Sequence, residues 1–336
     1  MAANPSPLTA PTAEDFRAWH RVWSAALAHD RPGDPVPSVD ALRAQLTQDG
    51  SDSRQVLWLV RGSGQDPVAT AALRLFTAPG RAHLAEVDMT VHPAHRRMGA
   101  GSRLLATVTE AATEAGRRTL ATRVIAGTSG ESFLATRDFA PALRLGVLRL
   151  SLDDIPEPIG KLPDLPHPGY RLTWWEGVVP DELAAGFARA KEGMADMPGG
   201  EVLGTVTGAA GAAGNEERVR EAARVVARRG ERLLTVAAVA EADGAVAGYT
   251  ELVLDADAGG VAQQYDTAVL AAHRGRGLGL WMKAAMLRLV PTVDPAITAV
   301  TTDNADDNRH MLAVNSALGF RPRRRVVIYR LKLPVR

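Results

Sequence analysis

Two segments of this chain combine glycine, arginine and a helix start in a pattern suited to binding an anion. The first reads Val91-His92-Pro93-Ala94-His95-Arg96-Arg97-Met98-Gly99-Ala100-Gly101, and the second Val269-Leu270-Ala271-Ala272-His273-Arg274-Gly275-Arg276-Gly277-Leu278-Gly279. Each follows an alternating apolar stretch and precedes a helical one. First-turn N–H groups of a helix lack partners and carry partial positive charge, so a strand, a glycine loop and a helix start together attract anions. Glycine lets the main chain itself touch the ligand. The positions that face the anion are Arg97, Gly99, Ala100, Gly101 and Ser102 in the first copy, and Arg276, Gly277, Leu278, Gly279 and Leu280 in the second. Upstream of each loop lie acids. Strand alternation puts Glu86, Asp88 and Thr90 on one face, and Gln264, Asp266 and Ala268 on the equivalent face of the other copy.

The elements that must hold these groups are themselves repeated. Arg96 and Arg274 are 178 positions apart, and Phe139 and Phe320 are 181 apart, so one unit is copied with its register nearly intact. In the first copy, helical spacing covers 14–28 and a second helix follows Ser38. Strands are expected at 55–60, 68–76 and 83–91, then helix 101–115, strand 119–125, a short helix near 129–136 and a strand pair ending at Leu152. The second copy repeats the order, with strands at 170–175, 233–239, 246–254, 261–269, 297–302 and 323–333, and helices at 181–191, 216–229, 278–289 and 307–318. Residues 153–168 hold Pro156, Pro158, Pro163, Pro166 and Pro168, the composition of a semi-rigid connector. The expected domains are therefore 1–152 and 169–336, joined by 153–168. A Gly- and Ala-rich stretch at 194–214 reads equally as a substrate loop, with Asp196 or Glu201 holding a cation, or as plain disorder.

Composition narrows the chemistry. With 46% hydrophobic and 23% charged residues the chain reads as globular, and no apolar run approaches a membrane span. No secretory signal is evident at the N-terminus, so a cytoplasmic protein is expected. A formal charge of +1 gives no global case for nucleic acid or membrane partners, and Arg321 with Arg323 to Arg325 reads as a solvated strand end. The absence of cysteine excludes disulfides, thiolate metal sites and a cysteine nucleophile. His92 and His95 have Pro93 between them and no paired ligand, so no metal is expected. The glycines of 275–279 are too closely spaced for a dinucleotide fingerprint, and 255–259 reads as a hairpin turn. Trp174, Trp175 and Trp281 read as packing residues.

An α/β chain with a mixed, largely antiparallel sheet, whose fourth strand leads into Arg-x-x-Gly-x-Gly and whose later short helix ends in Gly-Phe, resembles the GCN5-related N-acetyltransferase superfamily. Residues 91–101 and 269–279 fit its acetyl-CoA motif, and Asn304, Asn308, Met311, Asn315, Leu318, Gly319 and Phe320 fit the motif that follows. Gln264, Thr267, Val269, His273, Arg274, Gly275, Val314 and Asn315 also resemble the catalytic half of two-domain actinobacterial members.

The resemblance implies two tandem domains of this fold and acetyl-CoA as cosubstrate, with no metal. Its cofactor contacts fall on Val91, Arg96, Arg97, Gly99, Ala100, Gly101 and Ser102, and on Val269, Leu270, Arg274, Gly275, Arg276, Gly277, Leu278, Gly279, Leu280, Asn304, Asn308, Met311 and Asn315. The pantetheine arm would add to strand edges between the fourth and fifth strands. The first copy departs from the pattern at Asp138-Phe139 and Gly127, which points to the second as the catalytic one.

An alkylammonium, with a reference pKa of about 10.4, needs a base before it can attack a thioester. Asp266 is the candidate, with Gln264 and Thr267 as positioning groups; Glu86 or Asp88 serves if the first copy is active. The plainer alternative is that these acids cap a helix or meet an arginine. A main-chain N–H near Val269 or Leu270 would hold the oxyanion. The tyrosine that many relatives use to protonate the thiolate is replaced by Asn315 and by Leu134, leaving Tyr265 or water. The expected activity is acetyl transfer to a small-molecule primary amine, by a monomer or homodimer. The competing readings are a non-catalytic acetyl-CoA sensor or scaffold and, more weakly, acylation of protein lysines.

Overall fold

Local signals set the first helix. Thr12 caps α1 (Ala13–Asp30): its hydroxyl accepts from the Asp15 N–H at 3.2 Å, and the Asp15 carboxylate accepts from the Thr12 N–H at 2.9 Å. Two donors that a helix start leaves unpaired are thereby satisfied. The computed structural model describes residues 5–47, 53–78, 80–195, 216–255 and 259–334, with no side chains for 193–195. Residues 196–214, including Asp196 and Glu201, and the centre of the 255–259 turn lie outside the described residues.

The chain divides into two compact units, Met1–Ala142 with Val327–Arg336, and Leu143–Val326. In unit 1, β1 (Ser53–Arg61), β2 (Pro67–Phe76) and β3 (Leu84–Val91) form an antiparallel meander, and β4 (Thr119–Ile125) runs parallel to β3. Helix α3 (Ala100–Glu114) covers one face through Leu104, Leu105, Val108 and Ala112. On the other face Phe16 and Trp19 of α1 meet Leu42 and Leu46 of α2 (Val39–Thr47) over Leu57. A short α4 (Ser129–Ala135) follows β4. The strand beside β4 comes from far along the sequence: β11 (Arg321–Lys332), whose Val327 and Tyr329 join Trp58, Leu73 and Leu104 in the unit 1 core.

Unit 2 repeats the plan. Strands β6 (Tyr170–Glu176), β7 (Arg232–Ala240), β8 (Val246–Leu254) and β9 (Val261–Val269) are antiparallel neighbours, and β10 (Ala299–Ala305) lies parallel to β9. Helices α6 (Asp181–Ala195) and α7 (Glu216–Arg228) cover one face, α8 (Leu278–Val293) the other, and α9 (Arg309–Ala317) follows β10. Next to β10 lies β5 (Ala140–Ser151), which pairs antiparallel with it from Ala299↔Ser151 to Ala305↔Leu145. The expected strand pair ending at Leu152 is thus one long strand. Each copy of the repeat gives the end of its last strand to the sheet built by the other copy.

Residues 153–168 are not simply extended. Helix α5 (Glu157–Lys161) lies between helical turns Leu152–Asp154 and Leu162–Asp164, and Ile155, Ile159 and Leu162 lean on the unit 2 core. Gly319 is required beneath this segment: its φ is +96°, and a Cβ there would meet Pro156 Cδ at 3.1 Å. Asp138, its counterpart in unit 1, adopts the same left-handed region at φ 58°, so the Gly-to-Asp departure leaves that turn intact.

Candidate functional site

In both units the strand leading to the glycine loop parts from its parallel neighbour. The β3–β4 ladder runs only from Leu84↔Thr119 to Glu86↔Ala121, although both strands continue beyond it. The β9–β10 ladder ends likewise at Gln264↔Thr302. Beyond these points the strands diverge toward the loops, leaving main-chain edges available for strand addition.

Gly99 and Gly277 cap α3 and α8 in the left-handed conformation, at φ 80° and 76°, without a side-chain cap. The first helical bonds run from Arg103 N–H to Gly99 O and from Trp281 N–H to Gly277 O, both 3.1 Å. The amides of Ala100, Gly101 and Ser102, and of Leu278, Gly279 and Leu280, precede them and have no partner within the helix. Gly275 and Arg97 occupy equivalent positions at φ 75° and 65°, so the first loop holds an arginine where the second uses glycine. At Gly101 a Cβ would lie 3.4 Å from both Val91 and Phe133, an ordinary packing contact.

Several expected cofactor contacts already have structural partners. Arg96 and Arg274 turn back to their own strands, donating through Nε to Val91 O at 3.3 Å and Val269 O at 3.0 Å. Arg96 also forks onto Asp30 at 2.6 and 2.8 Å. Asn308 caps α9 by accepting from the Met311 N–H at 3.1 Å, and Asn304 donates to Ala305 O at 2.9 Å. Asn315 is fully buried with both side-chain polar atoms unpartnered among the described residues. The Leu270 N–H is taken by Ala247 O at 2.9 Å, so it is not an oxyanion donor.

The anion ends of the two units differ. In unit 1 the Arg103 guanidinium closes over Gly99, 3.1 Å from where a Cβ would lie, and Arg137 stacks on Phe133 at 3.7 Å while donating to Ser102 Oγ at 2.8 Å. In unit 2 the corresponding helix positions are Leu280 and Trp281, and Trp281 stacks on His167 with ring centroids 4.5 Å apart.

The acids differ as well. The β2–β3 register is unbroken, so Glu86, Asp88 and Thr90 share the face turned to α1, as alternation requires. Burial pushes the Glu86 carboxyl up to about 7; the Arg74 guanidinium, 3.6 Å away, opposes the rise, Asp88 adds to it, and Arg81 and Arg123 oppose it. Asp88 is open to solvent yet crowded by protein, which pushes its carboxyl up against the pull of Arg31 and Arg74.

In β9 the alternation fails. The register steps from Thr250↔Thr267 to Leu252↔Gln264, so Tyr265 and Asp266 together oppose Glu251. This β-bulge turns Gln264 to the face opposite Asp266, where it donates to Thr250 Oγ1 at 3.0 Å, and Thr250 bonds Thr267 Oγ1 at 2.7 Å. The expectation that Gln264 and Asp266 share a face is therefore corrected. Asp266 instead faces α6, where Lys191 Nζ lies 3.3 Å from it and also bonds Glu251. The three side chains are only 8%, 15% and 5% exposed for Lys191, Asp266 and Glu251. Burial alone would lower the Lys191 ammonium, but the charges of Glu251 and then Asp266 outweigh it and hold it above its ordinary value. Tyr265 packs with Ala223, Val226 and Leu233, and burial pushes its phenol up to about 12, a weak acid for a thiolate.

Sequence reading missed Lys191, 75 positions before Asp266. Its signal was a cation continuing the apolar stripe of Leu183, Ala184, Phe187 and Ala188. No group of three or more His, Cys, Asp or Glu suited to a metal occurs among the described residues, and no helix among them is long and apolar enough to cross a membrane.

The family model described as Acetyltransferase (GNAT) family matches twice, at residues 18–128 and 212–320. Among solved structures, a tandem GNAT protein from the clavulanic acid biosynthesis pathway is 28% identical, with 98% of each chain covered and a TM-score of 0.79. A GCN5-related N-acetyltransferase from Sphaerobacter thermophilus is 19% identical, with 96% of this chain and 94% of its own covered and a TM-score of 0.66. No curated relative matches. Because the two matched segments cover more than half of the 336 residues and each contains a glycine-capped helix beside parting strands, the chain belongs to the GNAT acetyltransferase family.

Proposed function

We propose that this protein transfers an acetyl group from acetyl-CoA to a primary amine of a small molecule, by direct attack in a ternary complex. The observation that carries this reading is the pair of parted strands running into glycine-capped, otherwise uncapped helix starts. The pyrophosphate sits on the amides of 100–102 or 278–280, and the pantetheine arm adds to a strand edge between β3 and β4 or between β9 and β10. The amine nitrogen attacks the carbonyl carbon, a carboxylate receives its proton, and the carbon–sulfur bond breaks to release CoA. No acyl-enzyme is required.

The tandem relative's place in clavulanic acid biosynthesis supports a small-molecule acceptor. The absence of the thiolate-protonating tyrosine at Asn315 and Leu134 favours the alternative, an acetyl-CoA sensor without turnover. Calorimetry with acetyl-CoA, followed by free-CoA release over a panel of primary amines, separates the two. Binding heat with release is expected. Binding without release from any amine leaves the sensor, and no heat at saturating acetyl-CoA sinks both. Gly99→Glu and Gly277→Glu, each placing a carboxylate at the start of a glycine-capped helix, should each abolish binding in its own unit.

A further inference from the structure

The two units offer opposite environments to an incoming amine. In unit 1 the regular β3 leaves Glu86 and Asp88 on the face turned to α1, with Asp88 solvent-accessible and the Arg74 guanidinium 3.6 Å from Glu86. In unit 2 the carboxylate equivalent to Asp88 already holds an amine: Lys191 Nζ lies 3.3 Å from Asp266 and is bonded to Glu251, against the rings of Phe187 and Tyr249 at 5.7 and 4.9 Å. A substrate ammonium that engages Asp266 must compete with Lys191, which Glu251 anchors in the same buried cluster. The phosphate ends also differ: Arg103 and Arg137 attend the unit 1 loop, whereas unit 2 has Trp281 at the position of Arg103 and carries Arg276 within its loop.

We propose that acetyl transfer is confined to unit 1, with Glu86 as the proton acceptor, and that Lys191 fills the acceptor position of unit 2 as an internal ammonium. The inference rests on the acetyltransferase reading. In the step it describes, the nitrogen–carbonyl bond forms, the carbon–sulfur bond breaks, the amine proton passes to the Glu86 carboxylate directly or through one water, and CoA leaves as thiolate. The charged groups around Glu86 are Arg74 on β2, Arg81 between β2 and β3, Asp88 on β3 and Arg123 on β4, with Arg31 beyond α1 acting on Asp88. Glu86 must be ionised to accept a proton, so the rate rises with pH through about 7.

The test measures acetyl-CoA-dependent CoA release by the full chain, as a pH profile, for the parent, Glu86→Gln, Glu86→Asp and Glu251→Gln. Glu86→Gln should lower kcat about 100-fold or more with acetyl-CoA binding retained and flatten the rise near neutrality. Glu86→Asp, which keeps an ionising group, should be slower but retain the rise, and it serves alone if Glu86→Gln does not fold. Glu251→Gln, which still hydrogen-bonds Lys191, should stay within about threefold of the parent, the scale of an indirect effect. Transfer that survives Glu86→Gln, a flat profile in Glu86→Asp, or a hundredfold loss in Glu251→Gln overturns the inference and leaves the acetyltransferase reading standing. A parent that releases no CoA with any amine overturns both.

Discussion

Lys283 lies on α8 with only 1% of its surface exposed, its Nζ 5.4 Å from the centroid of the Phe320 ring. No carboxylate accompanies it among the described residues, and burial pushes its ammonium down to about 7. Between about pH 7 and the ordinary lysine value of 10.5, the folded chain therefore binds fewer protons than the unfolded chain. Stability rises with pH across that window, by up to about 1.4 kcal/mol per pH unit. Lys283→Met, close in volume and free of charge, should raise the urea midpoint at pH 7 and flatten its climb toward pH 9. A midpoint equally steep in the variant assigns the dependence to other groups. Residues of this kind mark the limit of reading single positions. The glycines at 99 and 277 were legible because a left-handed backbone leaves few alternatives, whereas Lys191 and Lys283 depend on what faces them across the fold. Asn308, expected as a cofactor contact, has in the structure the role of a helix cap.

Elements were legible where periodicity is the whole story. Glu86, Asp88 and Thr90 share a face because β3 keeps its register, and the glycine-capped helices begin within a residue of expectation. The β9 bulge was not legible, since one extra residue between Gln264 and Thr267 alters no apolar pattern yet reverses which face Gln264 occupies. Close by, Gly248 stands opposite Val269, and a Cβ there would lie 2.7 Å from Ala268 O and 3.2 Å from Val269 Cα. In unit 1 the residue opposite Val91 is Ala69, so the same ladder position tolerates a side chain without the bulge. Gly248→Ala should cost about 1–3 kcal/mol because backbone, not a flexible side chain, must yield. A urea titration that finds the variant within about 0.5 kcal/mol of the parent, the usual surface-substitution scale, would show that the ladder adjusts freely.

At the scale of the molecule, two domains followed from an internal repeat, and the fold followed from the resemblance of its motifs to a known family, which the family match bears out. The exchange of strand ends was not. Compositional reading ends one domain near Leu152 and begins the next near Gly169, but Leu143–Val326 holds the end of β5 while Val327–Arg336 belongs with Met1–Ala142. Hydrophobic pattern cannot tell which edge a strand joins, because either sheet buries the same residues. A protease site inserted at the exposed Leu165 tests the exchange. The two cleaved fragments should remain together on a sizing column, each completing the other's sheet, and fragments that separate without unfolding would argue against it.

Synthesis on the ribosome makes residues 1–142 before the rest of unit 1, yet the strand that borders β4 includes residues 327–332. The nascent first half must therefore wait with an open sheet edge while some 180 further residues are made, an interval of roughly 10–35 s at about 5–20 residues per second. Such an edge invites pairing with neighbouring chains. Polysome crowding and chaperone supply should accordingly govern the yield of this protein more than the stability of its finished form.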